Sequence, residues 1–542
     1  MSRIILGCFV LKKETTFEIV FANRGALCFL VIVALFVSCI LRISVIINSG
    51  YASAQTTQSS YRINVAKIRS SIFDCNMIPL TNNTFKTMAV VSPTPQGVTD
   101  IHKILSGTKL DAVLSTLREG KAAVCEAKKK VESSGIAYTN VYTTENILAE
   151  HLIGYTDSVG KGVCGIEKAY DNVLYKNEYV SAVFTVSAGG DILNGIKPYF
   201  DGDLSLINDG VVTTLDINIQ NIANIAANKI KKGAVIISDA KTNKIRAMVS
   251  KPSFDIKNLS VSLEDVNLPF LNRCLSAFNV GSVFKPCVAA AALERGKASY
   301  VCNCTGVTHI IDRNFKCHKN DGHGFVNLKS AIAYSCNSYF YNLGINLGAD
   351  EIYRMASVLN FGTKLKLCEN IFCAKGNLPK INDLSNDAFL ANLSIGQGDL
   401  MLSPVSMLTL YSAIVNDGYY YVPSVIEGTV KNGNLSKYDI GQRTRAFSKE
   451  TANALKEYLF EVIKGGTGSL AKPKSVSAIG KTATAQTGKY YDSGEEITNS
   501  WFCGAFPKEN PKYVVIVMSD GKNEISCNTV FAEIADKITE IS

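Results

Sequence analysis

A single apolar run near the N-terminus limits the structures open to this chain more than any other feature. From Gly25 the sequence carries no charged residue until Arg42, and the apolar character then continues through Ile47. A run of this length is enough to cross the hydrocarbon core of a membrane. We therefore predict a transmembrane helix over residues 25–47, preceded by a leader over residues 1–24.

Charges before the run predict its orientation. The leader is mainly basic, although two glutamates weaken the bias: Arg3, Lys12, Lys13 and Arg24, against Glu14 and Glu18. By the positive-inside rule the N-terminus lies in the cytoplasm and the bulk of the chain lies outside the cell. The alternative is a cleaved signal peptide, because Ala52-Ser53-Ala54 resembles a cleavage site. The length of the run and of its leader favours a single-pass anchor in the cell membrane.

Composition excludes some classes of protein. Apolar residues make up 47% of the chain and charged residues 19%, which indicates packed cores rather than disorder. The net charge of +9 is modest for 542 residues, and no basic helix is interleaved with aromatic residues. We therefore expect no nucleic-acid partner, whereas an anionic membrane or envelope polymer is compatible with the charge.

The order of predicted elements beyond residue 211 indicates the fold class. The stretch Thr213-Thr214-Leu215-Asp216 offers a helix N-cap, and apolar residues follow at helical spacing. Candidate strands lie at 233–238, 244–250, 481–486, 500–506 and 513–518, before a final helix that carries Phe531 and Ile534. We predict an α+β domain over residues 211–542, whose two ends build one sheet around an inserted helical block.

Residues 48–210 carry few strongly periodic segments. A lysine-rich stretch over residues 113–133 predicts a helix there. No catalytic constellation is visible in this region, so we treat it as a separate domain between the anchor and the α+β domain.

One serine stands three residues before a lysine, at the start of an alanine-rich run. On a helix this spacing places the Ser282 hydroxyl and the Lys285 amine on one face, within reach of each other. A hydroxyl is a poor nucleophile until a neighbour takes its proton, and a desolvated lysine can do so. The pair suits acyl transfer. Ser106 and Ser469 begin the same pattern, so the motif alone does not identify a site.

Two later stretches supply the other groups that acyl transfer needs. Ser335-Cys336-Asn337 stands before a predicted helix and offers a hydroxyl for proton relay and an amide to hold a peptide group. Lys481-Thr482-Ala483-Thr484 lies on a candidate strand and offers a cation and hydroxyls to a carboxylate. A second Ser-Cys-Asn triplet occurs at residues 526–528, but the order and spacing of the three motifs together are hard to attribute to chance.

The order of these motifs resembles that of the penicillin-binding transpeptidases, and the sequence around the motifs is similar to that of their class B, the monofunctional, membrane-anchored enzymes. The stretches that carry the likeness are Arg69-Ser70-Ser71-Ile72-Phe73-Asp74, Gly165-Ile166-Glu167, Asn272-Arg273-Cys274-Leu275-Ser276, Gly322-His323-Gly324, Ile395-Gly396-Gln397-Gly398, Gly465-Gly466-Thr467-Gly468 and Trp501-Phe502. The resemblance implies the penicillin-binding transpeptidase fold for residues 211–542, an antiparallel five-stranded sheet flanked by helices. It implies a non-catalytic pedestal for residues 48–210.

The resemblance also implies a reaction. Ser282 would attack the carbonyl between the last two D-alanines of a stem peptide, with Lys285 accepting its proton and Ser335 in the relay. Asn337 would hold the amide of this donor peptide. Its carboxylate would be held by residues of the third motif: Lys481, Thr482 and Thr484.

Ligands and partners follow from the same resemblance. Peptidoglycan stem peptides and β-lactam antibiotics are the implied ligands, and the chemistry requires no cofactor. A membrane glycan polymerase within a wall-synthesis complex is the implied partner. The alternatives are a β-lactam sensor, a D,D-carboxypeptidase or an inactive wall-assembly scaffold.

One residue departs from the family pattern. The third motif of the family ends in glycine, where the strand edge lies close to the ligand, and this chain has Ala483 instead. The added methyl group either narrows access for bulky β-lactams or is absorbed by a small shift of the strand. We expect activity to be retained, because the other chemical groups survive.

Cysteines between the first two motifs predict a metal site. Soft ligands sufficient for a tetrahedral zinc are Cys302, Cys304, Cys317 and Cys336, with His318 in reserve. Some sporulation-related class B proteins are similar in carrying a metal beside the active site. Cys368 and Cys373 are expected to form a second ligand pair or a disulfide.

Overall fold

The structure, a computed structural model, describes the backbone of residues 5–48 and 60–541 and the side chains of residues 24–45 and 60–541. One helix, Ile5–Asn48, contains the apolar run. Its segment Arg24–Val45 has a mean hydropathy of 2.8 and exposed side chains, so it is long and apolar enough to span a membrane. The helix begins within the predicted leader. Arg3 and the predicted cleavage site Ala52-Ser53-Ala54 lie outside the described residues.

The chain forms two compact units, and each unit is discontinuous in sequence. The first unit combines Met1–Ala66, Thr87–Val141 and Val180–Gly202, and the second combines Lys67–Lys86, Tyr142–Tyr179 and Asp203–Ser542. The predicted division into residues 48–210 and 211–542 stays a prediction.

The first unit contains two small sheets beside its long helix. One sheet has the strand order Ser60–Arg69, Tyr175–Thr185, Tyr199–Asp201, and the other has the order Ala123–Glu126, Thr84–Val91, Ile136–Thr143. Helices Pro95–Ile101 and Gly107–Arg118 accompany the second sheet. The predicted helix over residues 113–133 is confirmed over residues 113–118 and is wrong beyond Arg118. It ends at Arg118 because Gly120 has a φ of +73°, a left-handed conformation that terminates helices.

A five-stranded antiparallel sheet forms the centre of the second unit. Its strand order is Ile245–Lys251, Gly233–Asp239, Tyr513–Asp520, Glu496–Phe506, Ile479–Tyr490. The two ends of the α+β domain therefore build one sheet, as predicted, and Ile479–Tyr490 is left as its edge strand. Alternation along the strands separates two apolar cores, one on each face of the sheet.

Helices cover both faces of this sheet. Ile217–Ala227 and the C-terminal helix Cys527–Ile541 share one core with the sheet. The side chain of Asp216 caps the first of these by accepting hydrogen bonds from the N–H groups of Asn218 and Ile219, which confirms the predicted start. On the other face lies the inserted helical block, with Lys285–Glu294, Leu328–Ala333, Asn337–Leu347, Ala349–Val358, Asp387–Ser394, Pro404–Val415 and Lys449–Lys464.

The remaining elements of the second unit are short. The helices are Glu150–Ile153, Gly165–Ala169, Asp171–Leu174 and Leu259–Glu264, and a four-stranded sheet has the order Ser71–Phe73, Gly210–Thr213, Ile426–Lys431, Asn434–Lys437. Paired strands are Phe278–Asn279 with Met401–Leu402, Val301–Cys304 with Gly324–Asn327, Val307–Ile310 with Arg313–Lys316, Lys366–Cys368 with Ile371–Phe372, and Tyr419–Tyr420 with Thr444–Arg445.

Two stretches that resemble the family meet in this unit although they are far apart in sequence. Arg69 forms ion pairs with Glu167 at 2.6 Å and with Asp171 at 2.9 Å. Among the residues whose side chains are described, every cysteine is a free thiol, including Cys368 and Cys373. The disulfide considered for that last pair is therefore not formed.

Candidate active site

Ser282 lies on a tight turn that a glycine makes possible. It belongs to the 3₁₀ turn Gly281–Phe284, which leads directly into the helix Lys285–Glu294. Gly281 has a φ of +61°, and a Cβ there would lie 3.1 Å from the Cβ of Ala485 and 3.2 Å from the carbonyl oxygen of Thr484. Glycine therefore lets the edge strand approach the serine closely.

Lys285 is fully buried at the start of the helix that follows the Ser282 turn, and its contacts are with the second motif. Its Nζ lies 2.7 Å from the carbonyl oxygen of Ser335, 2.7 Å from Oδ1 of Asn337 and 3.3 Å from Oγ of Ser335. Three acceptors suit an ammonium group, which has three donors. In the uncharged amine, the longest contact reverses and the Ser335 hydroxyl donates to the nitrogen.

Burial changes the protonation of this lysine. Loss of hydration lowers the pKa of Lys285 from 10.5 to about 7, and nearby Cys336 and Cys317 oppose the shift. The uncharged amine is thus well populated at neutral pH, whereas an ordinary lysine is uncharged in roughly one molecule in a few thousand. Lys285 is therefore able to act as a base.

Ser335 has an unusual backbone conformation. Its φ is +55°, which is uncommon for a residue other than glycine, and its side chain is buried. The residue follows helix Leu328–Ala333 closely and precedes helix Asn337–Leu347. The bond from Lys285 to the Ser335 carbonyl holds this turn against the nucleophile helix.

The third motif lies on the edge strand. Lys481 is fully buried, and its Nζ donates to the carbonyl of Thr482 at 3.0 Å. Burial, and then the charge of Lys285, hold the pKa of Lys481 well below its usual range. The hydroxyls of Thr482 and Thr467 are 2.9 Å apart. Thr467 also lines the cleft, although the sequence indicated it only as part of the family-like stretch Gly465-Gly466-Thr467-Gly468.

These residues meet at one cleft, with a volume of ≈ 480 Å³. Five of the seven predicted catalytic and substrate-binding residues line it: Ser282, Ser335, Asn337, Thr482 and Thr484. The other two, Lys285 and Lys481, are fully buried residues. The arrangement places a serine on the turn that precedes a buried lysine which can be uncharged, at a cleft rich in hydroxyl and amide groups.

Ala483 belongs to the apolar core and also lines the cleft. Ala483 is 8% exposed and pairs across the sheet with Trp501, whose Nε1 donates to the carbonyl oxygen of Asn279 at 2.9 Å. Its neighbours Thr482 and Thr484 point to the opposite face because side chains alternate along a strand. The fold accommodates the departure from glycine.

We expect Ala483→Gly to lower stability more than it changes acylation. Loss of a buried methyl group from a strand should lower the free energy of unfolding by about 1 kcal/mol. The rate of acylation by a labelled penicillin should change by less than roughly threefold. Ala485→Gly is the matched control, because Ala485 is a buried alanine on the same strand and face. A large gain in acylation that is specific to Ala483→Gly would show that the methyl group obstructs the cleft.

Four soft ligands converge beside the second motif: Cys304, Cys317, His323 and Cys336. Their ligand atoms all lie within 4.8 Å of one another. His323 Nδ1 is 3.6 Å from Sγ of both Cys304 and Cys317, and Sγ of Cys317 is 4.0 Å from Sγ of Cys336. In a tetrahedral zinc site with ordinary bond lengths, neighbouring ligand atoms are about 3.6–3.8 Å apart. The donor set and its spacing fit zinc.

This group corrects the ligand set predicted from the sequence at one position. Cys302 lies outside the group, where its Sγ accepts a hydrogen bond from Asn342 at 3.7 Å, and His323 takes its place. Cys302 and Cys304 are two residues apart on the strand Val301–Cys304, with Cα atoms about 6.5 Å apart, and of the two it is Cys304 whose Sγ lies with the other three ligand atoms. His318 also lies outside the group, with its Nδ1 3.9 Å from Sγ of Cys317.

Comparison with known proteins agrees with this arrangement. Residues 233–540 match the penicillin binding protein transpeptidase domain family. The chain is 26% identical over 497 residues to stage V sporulation protein D of Bacillus subtilis, covering 83% of this chain and 74% of that protein. It is 26% identical over 410 residues to the peptidoglycan D,D-transpeptidase MrdA of Acinetobacter baumannii, covering 68% of this chain and 58% of that protein.

Solved structures share the fold. Penicillin-binding protein PBP2 of Helicobacter pylori superposes with a TM-score of 0.66 at 21% identity, covering 89% of this chain and 99% of that one. The D,D-transpeptidase domain of a peptidoglycan glycosyltransferase from Eggerthella lenta gives a TM-score of 0.64 at 22% identity, covering 88% and 99%. Because the family match covers more than half of the chain, the protein belongs to the penicillin-binding protein transpeptidase family.

Proposed function

We propose that this chain is a serine D,D-transpeptidase that cross-links peptidoglycan stem peptides and is acylated by β-lactams. The observation that carries the proposal is the fully buried Lys285, which joins the nucleophile turn to Ser335 and Asn337. Membership of the transpeptidase family and the likeness to MrdA, a peptidoglycan D,D-transpeptidase, support the same reaction.

The first half of the reaction forms an acyl-enzyme. Ser282 Oγ attacks the carbonyl carbon between the last two D-alanines while the uncharged amine of Lys285 takes its proton. The peptide C–N bond then breaks, and the leaving D-alanine nitrogen receives a proton through Ser335, which contacts Lys285. The donor remains attached to Ser282 as an ester.

Other residues of the cleft hold the donor in place. Asn337 binds the donor amide, and the donor carboxylate is held by the third motif: Lys481, Thr482 and Thr484. The backbone N–H groups of Ser282 and Thr484 form the oxyanion hole. The hydroxyl contact between Thr482 and Thr467 supports this role, because it orients Thr482 at the cleft.

The second half of the reaction closes the cross-link. The amine of a neighbouring stem peptide attacks the ester carbonyl, an amide bond forms, and the ester C–O bond to Ser282 breaks. The proton lost by the amine returns to Ser282 Oγ through Lys285.

The product distinguishes this function from its alternatives. The full-length protein in detergent should convert a mixture of D-alanine-ending pentapeptide donor and amine acceptor into cross-linked dimer and free D-alanine, read by mass spectrometry. Free D-alanine without dimer would indicate a carboxypeptidase. Neither product, together with no penicilloyl adduct, would support the scaffold.

Acylation by penicillin should become faster as pH rises through the neutral range. Lys285 accepts the Ser282 proton only when it is uncharged, and its pKa of about 7 places that change near neutrality. The rate should rise about tenfold per pH unit below this pKa and level off above it. Stopped-flow acylation with a penicillin that has no ionisable group in this range measures the profile, and circular dichroism at each pH reports folding. A rate independent of pH across this range, with the fold intact, would rule out Lys285 as the base.

We also propose that zinc binds Cys304, Cys317, His323 and Cys336. The distances among the four ligand atoms and the soft donor set support zinc. With four protein ligands the metal would leave no open position, so it would supply structural cohesion rather than chemistry. The reaction itself needs no cofactor.

Anchoring and partners are further parts of the proposal. The helix that contains Arg24–Val45 holds the protein in the cell membrane, with the N-terminus in the cytoplasm and the catalytic domain outside. The pedestal over residues 48–210 and the transpeptidase domain over residues 211–542 serve a wall-synthesis complex with a membrane glycan polymerase. This chain resembles Helicobacter pylori PBP2 in fold, and a solved complex of that protein with MreC supports such assembly.

A further inference from the structure

One wall of the cleft is formed by a loop that the transpeptidase motifs do not include. The loop joins strand Tyr513–Asp520 to the C-terminal helix Cys527–Ile541, and Asn523, Glu524 and Ile525 line the cleft together with Ser282. In the sheet, this strand is two positions from the edge strand, a distance of about 10 Å. The loop therefore forms a wall away from the third motif.

Hydrogen bonds hold this loop in place. The side-chain amide of Asn523 donates to the carbonyl oxygens of Lys229 at 2.8 Å and Ile525 at 2.7 Å. Its Oδ1 accepts from the backbone N–H of Lys231 at 3.2 Å. The backbone that carries Glu524 is thus fixed relative to the sheet.

Glu524 gives the wall a carboxylate, which is held in an exposed ion pair with Lys231 that an acceptor ammonium can replace. Among the described residues that line the cleft it is the one carboxylate, and neither lysine nor arginine lines the cleft with it. Nζ of Lys231 lies 2.9 Å from Oε1 of Glu524. The side chain of Lys231 is 73% exposed and that of Glu524 is 82% exposed. An ion pair this exposed contributes little to stability. Lys231 also lowers the pKa of Glu524, which keeps the carboxylate ionised at neutral pH.

The two substrates of a transpeptidase differ in charge. The donor ends in a carboxylate, for which the third motif offers the hydroxyls of Thr482 and Thr484 at the cleft, whereas the acceptor is an amine that is mostly an ammonium ion in neutral water. A carboxylate in a cleft raises the local concentration of cations. Glu524 is therefore suited to the acceptor and unsuited to the end of the donor.

We propose that Glu524 is a specificity-determining residue that draws positively charged acceptor amines into the cleft. The inference rests on the proposed transpeptidase function and names the class of its second substrate, an acceptor with net positive charge. Glu524 binds the ammonium form and takes no proton in the reaction. The bound ammonium first releases one proton to solvent water; the uncharged nitrogen then forms the amide bond, the ester bond to Ser282 breaks, and the second proton of the nitrogen passes to Ser282 Oγ through Lys285.

A matched pair of acceptors tests this charge preference. D-Lysine and D-norleucine have the same α-amine, the same α-carboxylate and side chains of similar length, but only D-lysine has a side-chain ammonium. The full-length protein is first acylated with a thioester donor that mimics the D-alanine-ending stem, and the rate of transfer to each acceptor is measured by mass spectrometry. The ratio of the two rates is the readout.

The variants are Glu524→Gln and Glu524→Lys, with Glu540→Gln as the control. Glu540 is an exposed glutamate paired with Lys537 at 2.8 Å on the C-terminal helix, and it does not line the cleft. We expect Glu524→Gln to lower the preference for D-lysine by roughly threefold and Glu524→Lys to lower it further. High salt should shift the wild-type ratio toward that of Glu524→Gln, because salt screens the attraction between exposed charges.

The outcomes separate this inference from the proposed function. Both Glu524 variants should still be acylated by penicillin, which shows that they are folded and keep the nucleophile. An unchanged acceptor ratio in Glu524→Gln, with normal acylation, would overturn the role of Glu524 and leave the transpeptidase intact. Failure of the wild-type protein to form any acyl-enzyme would overturn both.

Discussion

Replacement of Ser282 by alanine should abolish covalent labelling by penicillin and formation of cross-linked product. The variant lacks the oxygen that forms the ester. Among the described residues that line the cleft, no other residue with a hydroxyl group lies on the turn Gly281–Phe284 before Lys285. In serine enzymes, removal of the nucleophile lowers the rate by roughly 10⁴-fold or more. Intact mass spectrometry of the full-length protein with a labelled penicillin measures the effect.

The chain supplies its own controls for this experiment. Ser106 and Ser469 also stand three residues before a lysine, but they lie at other elements, before the helix Gly107–Arg118 and in the turn Ser469–Ala471. Ser106→Ala and Ser469→Ala should label as the wild-type protein does. A penicilloyl adduct that persists in Ser282→Ala would assign the nucleophile to another residue and overturn the proposed mechanism.

Lys285→Met should be almost as damaging as loss of the serine. Methionine fills a similar volume without an amine, so Ser282 keeps its position but loses its base. The carbonyl of Ser335 and Oδ1 of Asn337 also lose their donor, which loosens the second motif. Labelling should slow by roughly 10³-fold or more, and unfolding of the variant monitored in parallel separates this loss from loss of fold.

The sheet could be predicted because its strands carry unambiguous local signals. The runs Gly233–Asp239 and Tyr513–Asp520 are almost wholly apolar, as expected for strands covered on both faces, and turns bound each of them. Their pairing across some 270 residues of chain could not be read from periodicity. It followed from the fold class, in which a sheet made from both ends of a domain encloses an inserted block.

The predicted metal ligands show where sequence reasoning stops. Cys304, Cys317 and Cys336 were identified because cysteine spacing is visible, but distance along the chain does not show which residue completes a tetrahedron. Cys302 and Cys304 share the strand Val301–Cys304, yet of the two Cys304 alone belongs to the group of four. His323 reaches the group because Gly322 and Gly324 both have positive φ values, which turn the chain back toward the cysteines. In the sequence, the stretch Gly322-His323-Gly324 was the signal that could have identified His323 as a ligand.

Loss of the metal group should weaken both the fold and the reaction. Cys336 lies between Ser335 and Asn337, the two residues that hold Lys285, so its position is shared by the proposed zinc site and the cleft. Cys304→Ser and His323→Ala should lower the zinc content of the purified protein from about one ion per chain to nearly none. The melting temperature should fall by roughly 5 °C or more, and penicillin acylation should slow by roughly tenfold.

Cys302→Ser is the matched control for Cys304→Ser. Both cysteines lie on the strand Val301–Cys304, and only Cys304 belongs to the group of four. The Cys302 variant should keep its zinc, its melting temperature and its rate of acylation. Zinc loss in Cys302→Ser with retention in His323→Ala would restore the ligand set read from the sequence. If neither wild-type protein nor variants contain zinc, and a chelator leaves melting and acylation unchanged, the four side chains pack together without a metal ion.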